Sequence, residues 1–144
     1  MQFLESMKAT AVKYQNRLVL PEGTEPRTVQ AARKIIDAKI AKEVTLLGDE
    51  SAVASVAKEV AVSLDGITVI NPATSALLAD FAAAYYEKRK AKGMTPEQAR
   101  IDMSGNLRFG AMMVHKNLAD SMVAGAENTT ADLLPAGLTV IGTA

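Results

Sequence analysis

Short apolar runs and amphipathic segments alternate along the chain, and this alternation predicts an α/β fold. Apolar runs of four or five residues are typical of buried strands, particularly where glycine, proline or asparagine follows them. Three such runs end at a turn signal, and a fourth leads into a polar stretch. The predicted strands are 17–20, 44–47, 67–70 and 121–125.

Between these runs, apolar residues recur three or four positions apart, as they do on one face of a helix. Two helix starts are marked by a threonine before proline or an acidic residue, namely Thr24 with Pro26 and Thr95 with Pro96. Gly93 is a stop signal for the longest helix. The predicted helices are 3–14, one after Thr24 running to about 40, 51–58, 75–92, one after Pro96, 107–116 and one from about 130.

Strands that alternate with helices pair in parallel through right-handed crossovers. The predicted architecture is therefore a three-layer αβα sandwich with a mostly parallel sheet. A chain of 144 residues is one ordinary domain. The strand order is not predicted.

Composition excludes several classes of function. The chain has no cysteine, which excludes disulfides and thiolate catalysis, and its single histidine excludes a multi-histidine metal site. Its 16 basic and 16 acidic side chains balance, so no nucleic-acid footprint is expected. No apolar run approaches the roughly 20 residues of a membrane span, and we expect no membrane partner and a cytoplasmic location.

Two arginines do not fit their local pattern. Arg27 lies in the first turn of its predicted helix, where a cation opposes the helix dipole. It is either a surface residue paired with Glu22 or Glu25, or a ligand for an anion at the carboxyl edge of the sheet, where ligands of parallel sheets usually bind. Arg89 continues the buried helical stripe formed by the apolar residues at 77, 81 and 85. It either binds an anion or lies beyond the core on the last turn.

The segment 121–132 has the order strand, glycine and polar helix start, which is typical of an anion site. Backbone N–H groups at a helix N-terminus have no intrahelical partners, and the dipole favours negative charge there. The hydroxyl groups of Thr129 and Thr130, beside Asn128, suit either a helix cap or an anion cradle. The G-x-x-x-x-G-K-[ST] signature of a nucleotide P-loop is absent.

Three runs together resemble the N-terminal part of the phosphate acetyltransferases, also called phosphotransacetylases. They are RLVLPEGTEPRT at 17–28, YYEKRKAKGMT at 85–95 and DSMVAGAENTTAD at 120–132, and their order and spacing agree over nearly the whole chain. Members of this family run to roughly twice the length of one such domain. The resemblance implies that residues 1–144 form the N-terminal α/β domain and that the family's C-terminal half is absent.

The resemblance also implies an acyltransferase that moves an acetyl group reversibly between coenzyme A and inorganic phosphate. Coenzyme A is then a substrate, and neither a cofactor nor a metal is expected. By resemblance, Arg27 and Arg89 are catalytic, and Asn128, Thr129 and Thr130 bind phosphate. We expect the two guanidinium groups to converge on one anion site. The full-length family members are generally homodimers with the active site in an interdomain cleft.

The chain departs from the family pattern in two places. After the hydroxyl loop the family has Leu-Arg-Pro or Leu-Arg-Ala, whereas this chain has DLLPAG at 132–137. Aligned without a gap, Pro135 occupies the place of the arginine; alternatively the arginine is deleted, and either way that side chain is missing. Pro135 and Gly137 also weaken the helix expected there. The family's catalytic aspartate, with a nearby serine–arginine pair, belongs to the C-terminal half and has no match here. The isolated chain is therefore expected to be inactive.

Other functions stay open on the sequence alone. A phosphate butyryltransferase would differ only in an acyl pocket that the sequence does not reveal. A non-catalytic anion-binding or assembly domain would keep the anion site without turnover. A dinucleotide-binding domain is disfavoured because no G-x-G-x-x-G follows the first strand.

Overall fold

A computed structural model describes residues 2–126, 135–137 and 139–140 of the chain, with the side chains of all but 2–4 among these. Its centre is a four-stranded sheet in which every pairing is parallel and the strand order is β3-β2-β1-β4. The strands are β1 (Asn16–Leu20), β2 (Ala41–Leu47), β3 (Thr68–Ile70) and β4 (Ser121–Met122). The parallel α/β fold is confirmed, and β1 and β2 begin earlier than predicted.

Six α-helices connect and flank these strands within residues 2–126. They are α1 (Gln2–Tyr14), α2 (Pro26–Asp37), α3 (Glu50–Glu59), α4 (Leu78–Arg89), α5 (Pro96–Met103) and α6 (Asn106–His115). The predicted helix 75–92 is shorter than expected because its last turn, Lys90–Lys92, is a 3₁₀ helix. Gly93 then ends it with φ 88°, a left-handed conformation that glycine adopts without steric cost.

Helices cover both faces of the sheet, so the three-layer arrangement is confirmed. Successive strand residues point to opposite faces. Val19 and Leu47 belong to the core formed with α4, α5 and α6, whereas Leu20 and Leu46 belong to the core formed with α2 and α3. Phe81 and Phe109 pack in the first core with ring centroids 4.8 Å apart.

The start of α2 corrects one prediction. The N-cap is Glu25 and not Thr24, and the Glu25 carboxylate accepts a hydrogen bond from the backbone N–H of Thr28 at 3.0 Å. A glutamate side chain is long enough to reach back to this donor, and its charge favours the positive end of the helix. At α5 the prediction is confirmed, since the Thr95 hydroxyl accepts from the N–H of Gln98 at 3.1 Å.

Residues 135–137 and 139–140 are helical despite Pro135 and Gly137. Ala136 and Val140 are fully buried, and Lys88 Nζ donates to the Val140 carbonyl at 2.7 Å. Packing and this tertiary hydrogen bond outweigh the low helix propensity of proline and glycine, because tertiary contacts supply most of a helix's stability in a folded protein.

Candidate functional site

The carboxyl ends of β1 and β4 enclose a cavity of about 200 Å³. The two strands are neighbours, with Leu18 opposite Ser121 and Val19 opposite Met122. The turn after β1, the start of α2 and the segment after β4 therefore meet at one edge of the sheet. The residues that line the cavity are Leu20, Glu22, Arg27, Thr28, Ala31, Val123, Ala124 and Ala126. This edge is the usual ligand position in a parallel α/β sheet.

Glu22 occupies the inner wall of this cavity and is only 3% exposed. One of its carboxylate oxygens, Oε1, accepts the backbone N–H groups of Gly125 at 2.8 Å and of Ala126 at 3.0 Å. Two successive N–H groups in the segment after β4 are therefore turned toward a carboxylate of the protein itself. Gly125 has φ 125°, a conformation that side-chain-bearing residues rarely adopt.

Arg27 lies at the mouth of the cavity, and its side chain is 71% exposed. Its Nε donates to Glu25 Oε1 at 2.8 Å, and one Nη donates to the Ala126 carbonyl at 2.7 Å. The hydrogen bond from Arg27 lowers the pKa of the Glu25 carboxyl, and the same bond raises the pKa of Arg27. The predicted pairing with Glu25 is thus present. These contacts use two of the five N–H donors of a guanidinium group.

Arg89 is the last residue of α4 and is half-buried. The buried helical stripe that Arg89 was predicted to continue is present, since Phe81 and Tyr85 are each 2% exposed. Arg89 Nε is buried and has no hydrogen-bond partner within the part of the chain that the structure describes. A buried donor of this kind costs about 1–3 kcal/mol when it stays unsatisfied. Arg89 is therefore a guanidinium group with a donor that none of the described residues uses.

The remaining predicted site residues, Asn128, Thr129 and Thr130, lie outside the described residues. Arg89 is not among the residues that line the Arg27 cavity. The convergence of Arg27, Arg89 and the hydroxyl loop on one anion stays a prediction. The structure does bring Arg27 against Ala126, which immediately precedes the segment that carries Asn128, Thr129 and Thr130.

Two further charged residues stand out that the sequence analysis did not select. Glu22 was considered only as a surface partner for Arg27, and nothing local to it signals contacts 103 and 104 positions away. Arg108 lies in the first turn of α6 and, like Arg89, has a buried Nε without a partner among the described residues. The signal that selected Arg27, a cation opposing the helix dipole, applies equally to Arg108.

Neither a metal cluster nor a membrane span emerges from the described part of the chain. No group of three or more histidine, cysteine, aspartate or glutamate residues there could hold a metal ion. None of the described helices has the length and apolar character that crossing a bilayer requires. In the described cavity, the Arg27 guanidinium is the group that can recognise an anion, because only two of its five N–H donors are used by Glu25 and Ala126.

Comparison with known sequences gives a consistent result. The family described as phosphate acetyl/butaryl transferase matches residues 2–144. A phosphate acetyltransferase from Treponema pallidum is 50% identical over 143 residues, which are 99% of this chain and 43% of that protein. One from Acetivibrio thermocellus is 42% identical over the whole chain and 42% of its own length. The chain thus spans less than half the length of these curated relatives.

Solved structures show the same likeness in three dimensions. The EutD phosphotransacetylase from Staphylococcus aureus superposes with a TM-score of 0.89 at 33% identity, over 99% of this chain and 43% of that one. A phosphotransacetylase from Streptococcus pyogenes gives the same TM-score at 29% identity, over 96% of this chain and 42% of its own. The described fold is therefore that of the corresponding part of these proteins.

Proposed function

The chain belongs to the phosphate acetyl/butaryl transferase family, and we propose that it is the N-terminal part of a phosphate acetyltransferase. The reaction is reversible acetyl transfer between acetyl-CoA and inorganic phosphate, which gives acetyl phosphate and CoA. The observation that carries the proposal is the family match over residues 2–144, joined to an arginine-bearing cavity at the carboxyl edge of the sheet. The two curated relatives described above are both named phosphate acetyltransferases, which favours acetyl over butyryl as the transferred group.

In the proposed reaction a phosphate oxygen attacks the carbonyl carbon of the acetyl thioester. The new C–O bond forms, the C–S bond breaks, and CoA leaves as its thiolate, which takes up a proton that balances the one that the attacking phosphate hydroxyl gives up. Arg27 and Arg89 offer guanidinium donors whose fork geometry matches phosphate. Their positive charge would hold the phosphate and offset the negative charge that develops on the attacked carbonyl oxygen. Asn128, Thr129 and Thr130 are proposed to complete the phosphate contacts.

The domain and assembly are part of the same proposal. Residues 1–144 would form the N-terminal α/β domain, and the catalytic aspartate would come from the family's C-terminal half. The full-length enzyme would be a cytoplasmic homodimer that needs neither metal nor cofactor, with coenzyme A as a substrate. Because loss of a general base typically costs about a hundredfold to ten-thousandfold in rate, the isolated chain would show no substantial activity.

The test compares this chain with a chimera in which it replaces the matching N-terminal segment of the Treponema pallidum enzyme, to which it is 50% identical. A coupled assay measures acetyl phosphate formed from acetyl-CoA and phosphate. We expect turnover by the chimera, no substantial turnover by the isolated chain, and loss of turnover in the chimera on Arg89→Gln. Arg100→Gln on the exposed side of α5 is the matched control. A folded chimera without activity would contradict the proposal.

The alternatives give different results in the same experiment. A phosphate butyryltransferase would turn over butyryl-CoA faster than acetyl-CoA in the chimera. A non-catalytic anion-binding domain would bind phosphate as an isolated chain and would give an inactive chimera.

A further inference from the structure

We propose that Glu22 is a positioning residue of this site. Its carboxylate accepts hydrogen bonds from the backbone N–H groups of Gly125 and Ala126. These bonds fix the position of the Ala126 carbonyl, which accepts a hydrogen bond from Arg27. The identification of phosphate as the ligand rests on the proposed function, whereas the contacts of Glu22 do not depend on it. Glu22 is outside the set of residues predicted from sequence.

The first step is the arrangement of the two donors. Two successive backbone N–H groups that converge on one point form a concavity that favours an anion. At Gly125 and Ala126 both N–H groups converge on the same oxygen, Glu22 Oε1, at 2.8 and 3.0 Å. The φ of 125° at Gly125 places its peptide in a conformation that glycine allows. The anion in this concavity is therefore a side chain of the protein.

The second step is the burial of the carboxylate. Glu22 is 3% exposed, and a buried carboxylate is costly unless it is hydrogen-bonded or paired. The two N–H groups provide charge-assisted hydrogen bonds, which are roughly twice as strong as neutral ones. The positive charge of Arg27 also interacts favourably with Glu22, which contributes to the raised pKa of Arg27 after the larger effect of Glu25. These contacts compensate the burial and fix the carboxylate in place.

The third step connects Glu22 to Arg27. The backbone N–H of Ala126 donates to Glu22, and the backbone carbonyl of Ala126 accepts a hydrogen bond from Arg27 at 2.7 Å. Ala126 is therefore held on both sides. Glu25 holds the same guanidinium group at Nε. The direction of the remaining Arg27 donors therefore depends on Ala126, and the position of Ala126 depends on Glu22. An inorganic phosphate would bind the remaining N–H donors of Arg27. It would not reach the N–H groups of Gly125 and Ala126, because the Glu22 carboxylate already accepts from both.

The first measurement is amide hydrogen exchange by NMR on the 144-residue chain. In Glu22→Ala we expect exchange at Gly125 and Ala126 to accelerate about ten- to a hundredfold, as for loss of a hydrogen bond to a charged group. The amides of β1, such as Val19, should stay protected. Formate, a small carboxylate, should restore protection at Gly125 and Ala126 in Glu22→Ala, which a general loosening of the fold would not show. Glu50→Gln, at an exposed position in the first turn of α3, is the control.

If Glu22→Ala does not fold, Glu22→Gln tests the same role by the same NMR measurement. Its side chain has the same size and keeps an oxygen acceptor but loses the charge, so both amide proton resonances should shift and exchange should rise by a smaller factor. Unchanged resonances and exchange in Glu22→Gln, or a loss in folded Glu22→Ala that formate does not restore, would overturn the positioning role.

A phosphate titration distinguishes this inference from the proposed function. In the wild-type chain, inorganic phosphate should shift the Nε–H resonance of Arg27, and in Glu22→Ala formate should restore a diminished shift. If phosphate leaves the wild-type Arg27 resonance unchanged, the proposed phosphate site is wrong. The exchange of Gly125 and Ala126 then still decides the role of Glu22 independently.

Discussion

Arg17 and Asp120 pair across the amino ends of β1 and β4, although 103 positions separate them in sequence. One Arg17 Nη donates to Asp120 Oδ1 at 3.0 Å, and the Arg17 backbone N–H donates to Asp120 Oδ2 at 2.6 Å. The pair continues the register of the two strands, in which Leu18 lies opposite Ser121. It therefore holds β4 beside β1 at the end opposite to the candidate site, and β4 needs such support because it is only two residues long.

This pairing predicts a pH-dependent stability. The hydrogen bonds from Arg17 lower the pKa of Asp120 from 3.8 to about 2. A depressed pKa means that the contribution is present above the ordinary value and is lost as the pH falls toward about 2. Asp120→Asn should lower the melting temperature at neutral pH, and the difference from wild type should shrink as the pH falls below 3.8 and be mostly lost by about pH 2. Thermal unfolding followed by circular dichroism at a series of pH values measures it.

Asp65→Asn is the control for this series, because Asp65 is exposed and no hydrogen bond to its carboxylate is described. Its melting temperature should follow wild type at every pH. A difference between Asp120→Asn and wild type that persists undiminished at pH 2 would show that the contact acts through shape and not through the charge of Asp120.

Local signals account for most of the fold that was predicted. The cap at Thr95 and the stop at Gly93 each depend on a few neighbouring residues, and both appear in the structure. The N-cap at α2 was assigned one residue early because two adjacent residues, Thr24 and Glu25, can both cap and only the backbone path decides between them. Strand order follows from packing between distant segments, and no local pattern encodes it.

The candidate site was predictable only in part. Arg27 was found because a cation in a first helical turn conflicts with the dipole, a conflict visible over a few residues. Glu22 has no such signal, since its hydrogen-bond partners lie after β4 and become neighbours only when β1 and β4 pair. The sequence also predicts free N–H donors at a helix start after β4, and the residues there from position 127 to 134 lie outside the described part of the chain. Just before them, the N–H groups of Gly125 and Ala126 already donate to Glu22.

Substitution of Gly23 tests how tightly the turn that carries Glu22 packs against β2. A Cβ atom at Gly23 would clash with the carbonyl oxygen of Leu47, which already accepts the Gly23 N–H at 3.0 Å. Because the clash is with backbone, Gly23→Ala forces β1 and β2 to shift, and we expect it to destabilise the fold by about 1–3 kcal/mol. Urea unfolding measures the free energy difference.

Gly137→Ala is the matched control for Gly23→Ala. Gly137 is helical, and a Cβ atom there would meet no atom of the described residues within 4 Å. Alanine has the higher helix propensity, so this variant should be neutral or more stable by up to about 1 kcal/mol. Equal stability of the two variants would mean that the Leu47 carbonyl can move away without cost.

Substitution of Pro135 tests whether the arginine that other family members carry here contributes to phosphate binding. Pro135 is exposed and helical in the structure, so a longer side chain fits at this position. In the chimera with the Treponema pallidum enzyme, Pro135→Arg should lower the Michaelis constant for phosphate about tenfold or more, because a hydrogen bond to a charged group contributes about 1.5–3 kcal/mol. Pro135→Ala separates the effect of the added charge from that of removing proline. If neither KM nor kcat differs between Pro135→Arg and Pro135→Ala, an arginine at this position does not reach phosphate.

Arg89 allows a test in which stability and ligand binding change in opposite directions. Its buried Nε has no partner among the residues that the structure describes, which costs free energy, and Met is an apolar side chain that fills a similar space. Arg89→Met should therefore leave the melting temperature without phosphate unchanged or raise it by an amount equivalent to about 1 kcal/mol. If Arg89 binds phosphate, the same substitution should abolish most of the increase in melting temperature that phosphate produces in the wild-type chain. Arg100→Met, on an exposed position of α5, should keep that increase. A full phosphate response in Arg89→Met would remove Arg89 from the proposed site and leave it as a residue at the end of α4 that favours the helix dipole.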